Sequence, residues 1–193
     1  MSTHLHGQQS LLDVEDRHPV LPGDDGWSRH GFGTADVDEG ESLGPVDWNL
    51  LSADEAMVEW ADLDAWVEWL RLTYGLPPTV VPPLWHRHDE LVWELSALHT
   101  HWLNAYHRDG TPSGPIGWHR DFADARHRLR EWVALAGCRL DRDRPTRTAT
   151  WPGEAQRESR GEVEILDRRA DFIEFVTADV TARRHTTEPG GFG

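Results

Sequence analysis

With 193 residues, 38% of them apolar, the chain has room for one domain with tails and too little apolar matter to fold along its whole length. Its nineteen basic residues are all Arg, and 34 acidic residues leave a net charge of −15, which disfavours general nucleic-acid binding because phosphate contact is electrostatic first. Residues 1–55 hold twelve acids against two Arg, so −10 of that charge sits at the N-terminal end. The absence of Lys is most simply explained by a high-GC genome, and the Arg count is therefore weak evidence for phosphate binding. Cys138 is the single cysteine, so no intrachain disulfide can form. No apolar run approaches the ~20 residues that span a bilayer, and the first residues lack the apolar stretch of a secretory signal. The expectation is a cytoplasmic protein with no membrane partner.

Residues 1–51 mix Gly, Asp, Ser and His with isolated apolar residues and read as a disordered acidic tail, with a short docked piece at Val46–Leu51. A helical core follows over residues 52–138. Ser52 and Glu55 have the spacing of a capping box. Met57, Trp60, Leu63, Trp66, Val67, Leu70 and Tyr74 then recur at helical steps, with a break possible near residue 61 and Gly75 as the stop. Pro77, Pro78, Pro82 and Pro83 exclude continuous helix over residues 76–88. Asp89 reads as the cap of a second helix with Leu91, Leu95, Leu98 and Trp102 on one face. Thr111–Pro115 reads as a turn. The third helix presents Trp118, Phe122, Ala125, Leu129, Trp132 and Ala136 and stops at Gly137.

Folded antiparallel about that turn, the two faces align: Leu91 meets Trp132, Leu95 meets Leu129, Leu98 meets Ala125, and Trp102 meets Phe122. This predicts an all-α small bundle built on a helix hairpin. Residues 139–161 read as a linker. Residues 162–184 read as an amphipathic helix, although Val163–Ile165 alternates like a strand, and residues 185–193 read as a tail.

Two segments resemble a known family. Trp85-His86-Arg87-His88-Asp89-Glu90 is similar to the Trp-x-Arg-His-x-Glu motif of a domain-of-unknown-function family. That family is carried on plasmids, prophages and conjugative elements of high-GC Gram-positive bacteria. Trp118-His119-Arg120-Asp121-Phe122-Ala123-Asp124 is similar to its Trp-x-Arg-Asp-x-Ala-Asp motif. The chain departs from the family pattern at His86, His99, Phe122 and Arg126. The resemblance covers about residues 60–138 and implies a mobile-element setting, with no reaction attached.

The twelve His residues raise the question of a metal. His99 and His101 are two apart, on different helix faces, and His119 and His127 are about two turns apart, so neither pair has the i,i+4 spacing that zinc uses. The expectation is no cofactor and no stoichiometric zinc. Nucleophilic chemistry lacks a Gly-x-Ser-x-Gly elbow, and nothing near Cys138 signals an activated thiolate. Trp85, His88, Glu90, Trp102, Trp118, Arg120, Asp121 and Asp124 read as structural anchors. The antiparallel register divides their polar members between the two ends of the hairpin, which argues against one catalytic cluster. Arg126, Arg128 and Arg130 form a mixed face with Asp124 and Glu131 rather than a phosphate stripe.

The predicted function is that of a non-enzymatic adaptor. The apolar face of Ile165, Phe172, Ile173 and Val176 must be buried on the core, on a second copy or on a partner, and a protein partner is the expectation. On this expectation, deleting residues 160–193 leaves the core folded. A DNA-associated accessory is the less favoured alternative, and a His-based metal enzyme comes third.

Overall fold

In the computed structural model, residues 43–146, 148–155 and 161–187 are described. Helix α1 spans Ala53–Tyr74. Its capping box is complete, with Ser52 Oγ accepting from the Glu55 amide at 3.3 Å and Glu55 Oε2 accepting from the Ser52 amide at 2.8 Å. The helix passes through Asp62 without a break and ends at Gly75, whose φ of 59° is the left-handed stop. Ala56, Trp60, Leu63, Trp66, Val67 and Leu70 form its buried face. Met57 lies off that stripe and is exposed, contrary to the sequence expectation.

The proline segment is a series of turns that ends in a single 3₁₀ turn at Trp85–Arg87. It buries Val80, Val81, Leu84 and Trp85. Helix α2 covers Asp89–Ala105, and its N-cap is His88 rather than Asp89. Asp89 and Glu90 instead occupy the first turn, where carboxylates meet the positive end of the helix dipole. Helix α3 covers Gly114–Ala136, starting inside the expected turn because Pro115 suits a first-turn position.

The antiparallel pairing of α2 and α3 is as the apolar faces predict. Glu94 accepts from Arg128 Nε at 3.1 Å, and His101 contacts Asp121 at 3.1 Å, one seven-residue step away along both helices. Trp118 Nε1 donates to the Leu98 carbonyl at 3.1 Å. Leu95, Leu98, Phe122 and Leu129 are buried, whereas Trp102 and Trp132 are half-buried because they flank the seam. Leu98→Ala is expected to cost at least about 2 kcal/mol, and a urea unfolding midpoint equal to that of the parent would contradict this packing.

Two parts of the sequence reading change. The disordered tail expected at the N-terminus falls on residues 1–42, outside the described residues, whereas the docked piece expected at Val46–Leu51 is seated through Trp48 and extends back to Leu43. Trp48 is buried with its ring 4.3 Å from that of Trp60, and its Nε1 donates to Ser96 Oγ at 2.8 Å. The Asn104 side chain receives the Leu43 amide at 2.9 Å and donates to the Leu43 carbonyl at 3.0 Å.

The segment read as a linker contains strand β1, Arg142–Asp143, which pairs antiparallel with β2, Val163–Glu164. The alternation at Val163–Ile165 is thus a strand, and helix α4 starts later, at Arg168, and continues to Thr187.

Helix α4 packs on the chain's own core, which corrects the assignment of its apolar face to a partner. Phe172 and Phe175 meet the Trp60 ring edge-on at 6.2 and 5.4 Å, and Val180 is buried. Trp60 Nε1 donates to Asp179 at 3.0 Å, while Arg183 donates to the carbonyls of Trp48 and Leu51. Ile165, Phe172 and Val176 are consequently half-buried, and of the four expected partner residues Ile173 alone stands exposed.

Candidate functional site

The start of α2 and the end of α3 are brought side by side by the hairpin. His88 occupies a position where Ser, Thr, Asp or Asn would cap with a side-chain oxygen. Its imidazole makes no cap bond and turns into the core instead, 1% exposed. At the other helix end, Gly137 adopts a φ of 83°, and the reversal leaves Cys138 facing inward. The chain then returns through β1, which delivers Asp143, 3% exposed, to the same point.

Three donor atoms converge there. His88 Nε2 lies 2.9 Å from Asp143 Oδ1 and 3.3 Å from Cys138 Sγ, and the sulfur is 3.3 Å from the same carboxylate oxygen. The Arg144 carbonyl oxygen is also 3.3 Å from the sulfur. On the other side of the ring, His88 Nδ1 lies 3.1 Å from Thr146 Oγ1, and Thr146 donates to Glu90 Oε1 at 2.7 Å. An ionised Glu90 only accepts, so the Thr146 proton points to it and Thr146 Oγ1 accepts from His88 Nδ1–H.

Burial opposes charge on His88, but its hydrogen-bonding interactions with Asp143, Cys138 and Glu90 outweigh it and raise its pKa to about 11. Burial likewise opposes charge on Glu90, and its bonds to His88 and Thr146 hold its carboxyl below the usual range.

This arrangement differs in geometry from a nucleophilic relay. In a thiol–imidazole–carboxylate relay, the sulfur and the carboxylate engage opposite ring nitrogens. Here both engage Nε2, and the carboxylate is the nearer. The sulfur is also enclosed, with Cys138 9% exposed.

The remaining sequence-predicted residues separate as follows. Trp85 and Trp118 are fully buried anchors, and Trp102 packs its half-buried ring 5.0 Å from Trp69. Asp121 pairs with His101 and Arg120 at the far end of the hairpin, about 20 Å along α2 from His88 at 1.5 Å per residue. Two polar points thus lie at opposite ends, as the register predicts. Arg120 and Asp124 are exposed on α3 and do not anchor the core, because the helix turn carries them away from the α2 seam.

Sequence reasoning missed Cys138, Asp143 and Thr146. Their signal was the helix-start His88 set antiparallel to the helix-stop Gly137, which brings residue 138 to His88; Asp143 and Thr146 carried none.

Other histidines serve the packing. His86 contacts Asp171 at 2.8 Å, and Arg87 Nε donates to the same oxygen at 2.8 Å, fixing α4 to the 3₁₀ turn. Burial works against the charged Asp171, but its bonds to Arg87 and His86 outweigh this and hold it below the usual carboxylate range. His99 stacks on Trp66 at 4.9 Å. No described helix is long and apolar enough to cross a membrane. Comparison of the chain with protein-family models, curated proteins and solved structures finds no match.

Proposed function

We propose that the protein is a non-enzymatic helical adaptor that binds a protein partner, in the mobile-element setting that its two Trp-led motifs resemble. The observation that carries this reading is Trp151, which is 72% exposed on a pre-formed turn. Trp151-Pro152-Gly153-Glu154 has Pro and Gly at its central positions, and Gly153 has a φ of 93°, the pattern of a type II turn. The Glu154 amide donates to the Trp151 carbonyl at 3.0 Å, and the Trp151 amide donates to Glu154 Oε2 at 3.0 Å.

An indole held out on a fixed turn loses little conformational freedom on binding, and Trp is among the residue types that dominate interface energetics. The surrounding Thr148, Ala149, Thr150 and Glu154 form a shallow hollow beside it. The net charge of −15 favours a basic protein surface over a phosphate backbone. The His88, Cys138 and Asp143 side chains, meanwhile, are enclosed at the junction of α2, α3 and β1.

Affinity capture with full-length protein from a host is expected to recover one protein in stoichiometric amount. Calorimetry with that purified protein should show Trp151→Ala weakening binding at least about tenfold with no change in melting temperature. Equal affinity of the variant would reject Trp151 as the contact. Tight duplex DNA binding with a steep salt dependence would favour a DNA accessory instead.

A further inference from the structure

We propose that His88 Nε2, Cys138 Sγ and Asp143 Oδ1 bind one divalent cation of the zinc class, which closes the junction of α2, α3 and β1. This does not rest on the adaptor reading. The donors form a triangle with sides of 2.9, 3.3 and 3.3 Å. A tetrahedral ion bonded at ~2.0–2.1 Å to nitrogen, ~2.3 Å to sulfur and ~2.0–2.2 Å to oxygen spaces its ligands roughly 3.3–3.6 Å apart. The triangle therefore needs to open by only a few tenths of an ångström.

Charge and chemistry agree with that occupant. A thiolate, a carboxylate and a neutral imidazole sum to −2, which a divalent ion neutralises in a site where all three residues are at least nine-tenths buried. A mixed sulfur, nitrogen and oxygen set suits zinc and disfavours magnesium or calcium, which take oxygen ligands. The outer groups also select the right tautomer. Because Glu90 accepts from Thr146 and Thr146 accepts from His88 Nδ1–H, the Nδ1 proton stays in place. The Nε2 proton that Asp143 accepts in the metal-free protein leaves as the ion binds and frees the Nε2 lone pair. The Arg144 carbonyl oxygen, 3.3 Å from the sulfur, is the candidate fourth ligand.

Counting histidines in the sequence predicts no metal. The fold supplies the two other donors, one from a helix end and one from the segment read as a linker.

The test is a Co(II) titration of the full-length, tag-free, reduced protein after passage over chelating resin. Expected are saturation at about one ion per chain, a near-ultraviolet thiolate-to-cobalt charge-transfer band, and displacement of cobalt by zinc. Cys138 is the chain's single cysteine, so that band identifies the ligand without any variant. Cys138→Ser should abolish the band, while His127→Gln, on the exposed face of α3, should retain it. Absence of binding, or cobalt bound with no thiolate band, would overturn the proposal; the latter would place the ion on surface histidines.

Discussion

Deleting residues 160–193 is expected to destabilise the remaining chain by on the order of 5 kcal/mol and to leave much of it unfolded. The deletion removes Phe172 and Phe175 from the rings of Trp60, Trp85 and His86, and takes away the buried Val180. Full burial of one such side chain contributes roughly 1.5–3 kcal/mol, and two of the three are half-buried here. It also strips the Asp179 acceptor from Trp60 Nε1 and the Asp171 carboxylate from His86 and Arg87. Polar groups shaped for those partners then meet water or remain unsatisfied, at about 1–3 kcal/mol for each one left buried. Small domains hold only about 5–15 kcal/mol in total, so a loss of this size is decisive. Circular dichroism with urea unfolding measures it. A truncated chain with the parent's midpoint would mean that α4 is a dispensable appendage, as the sequence alone suggests.

Acid should destabilise the protein between about pH 6.5 and 4, by about 3 kcal/mol through His99 alone. His99 is 3% exposed and stacked on Trp66, and burial lowers its pKa to about 4. In the unfolded chain an imidazole titrates near its ordinary value of about 6.5. Within that window the unfolded state therefore binds a proton that the folded state does not. Stability rises with pH through the window, falls as the solution is acidified, and reaches the end of this contribution below about pH 4. Unfolding midpoints at closely spaced pH values give the slope. His99→Phe keeps a ring for Trp66 and removes the titration, so its profile should be flatter by about one proton. An unchanged slope in His99→Phe would show that His99 does not carry the effect. The carboxyls of Glu90 and Asp171, held below their usual range, add their own losses at lower pH.

Much of the helical layout is legible in the residues because it is local. The Ser52–Glu55 box, the stops at Gly75 and Gly137, and the three- and four-residue recurrence of apolar side chains each act within a turn or two. Even the pairing of α2 with α3 follows from two stripes joined by a short turn, since the turn allows one antiparallel register that buries both. Periodicity states that a face must be covered, however, and not what covers it. The stripe of α4 therefore looked free to bind a partner, and only the packed chain shows Trp60 and Trp85 beneath it.

The same limit hid the cluster at His88. Its partners Cys138 and Asp143 stand 50 and 55 residues away, at a helix end and in a two-residue strand with no pattern of their own. A hydrogen bond or a metal ligand is defined by tenths of an ångström in space. Spacing along the chain encodes such distances within one helix, whereas between elements the tertiary fold sets them.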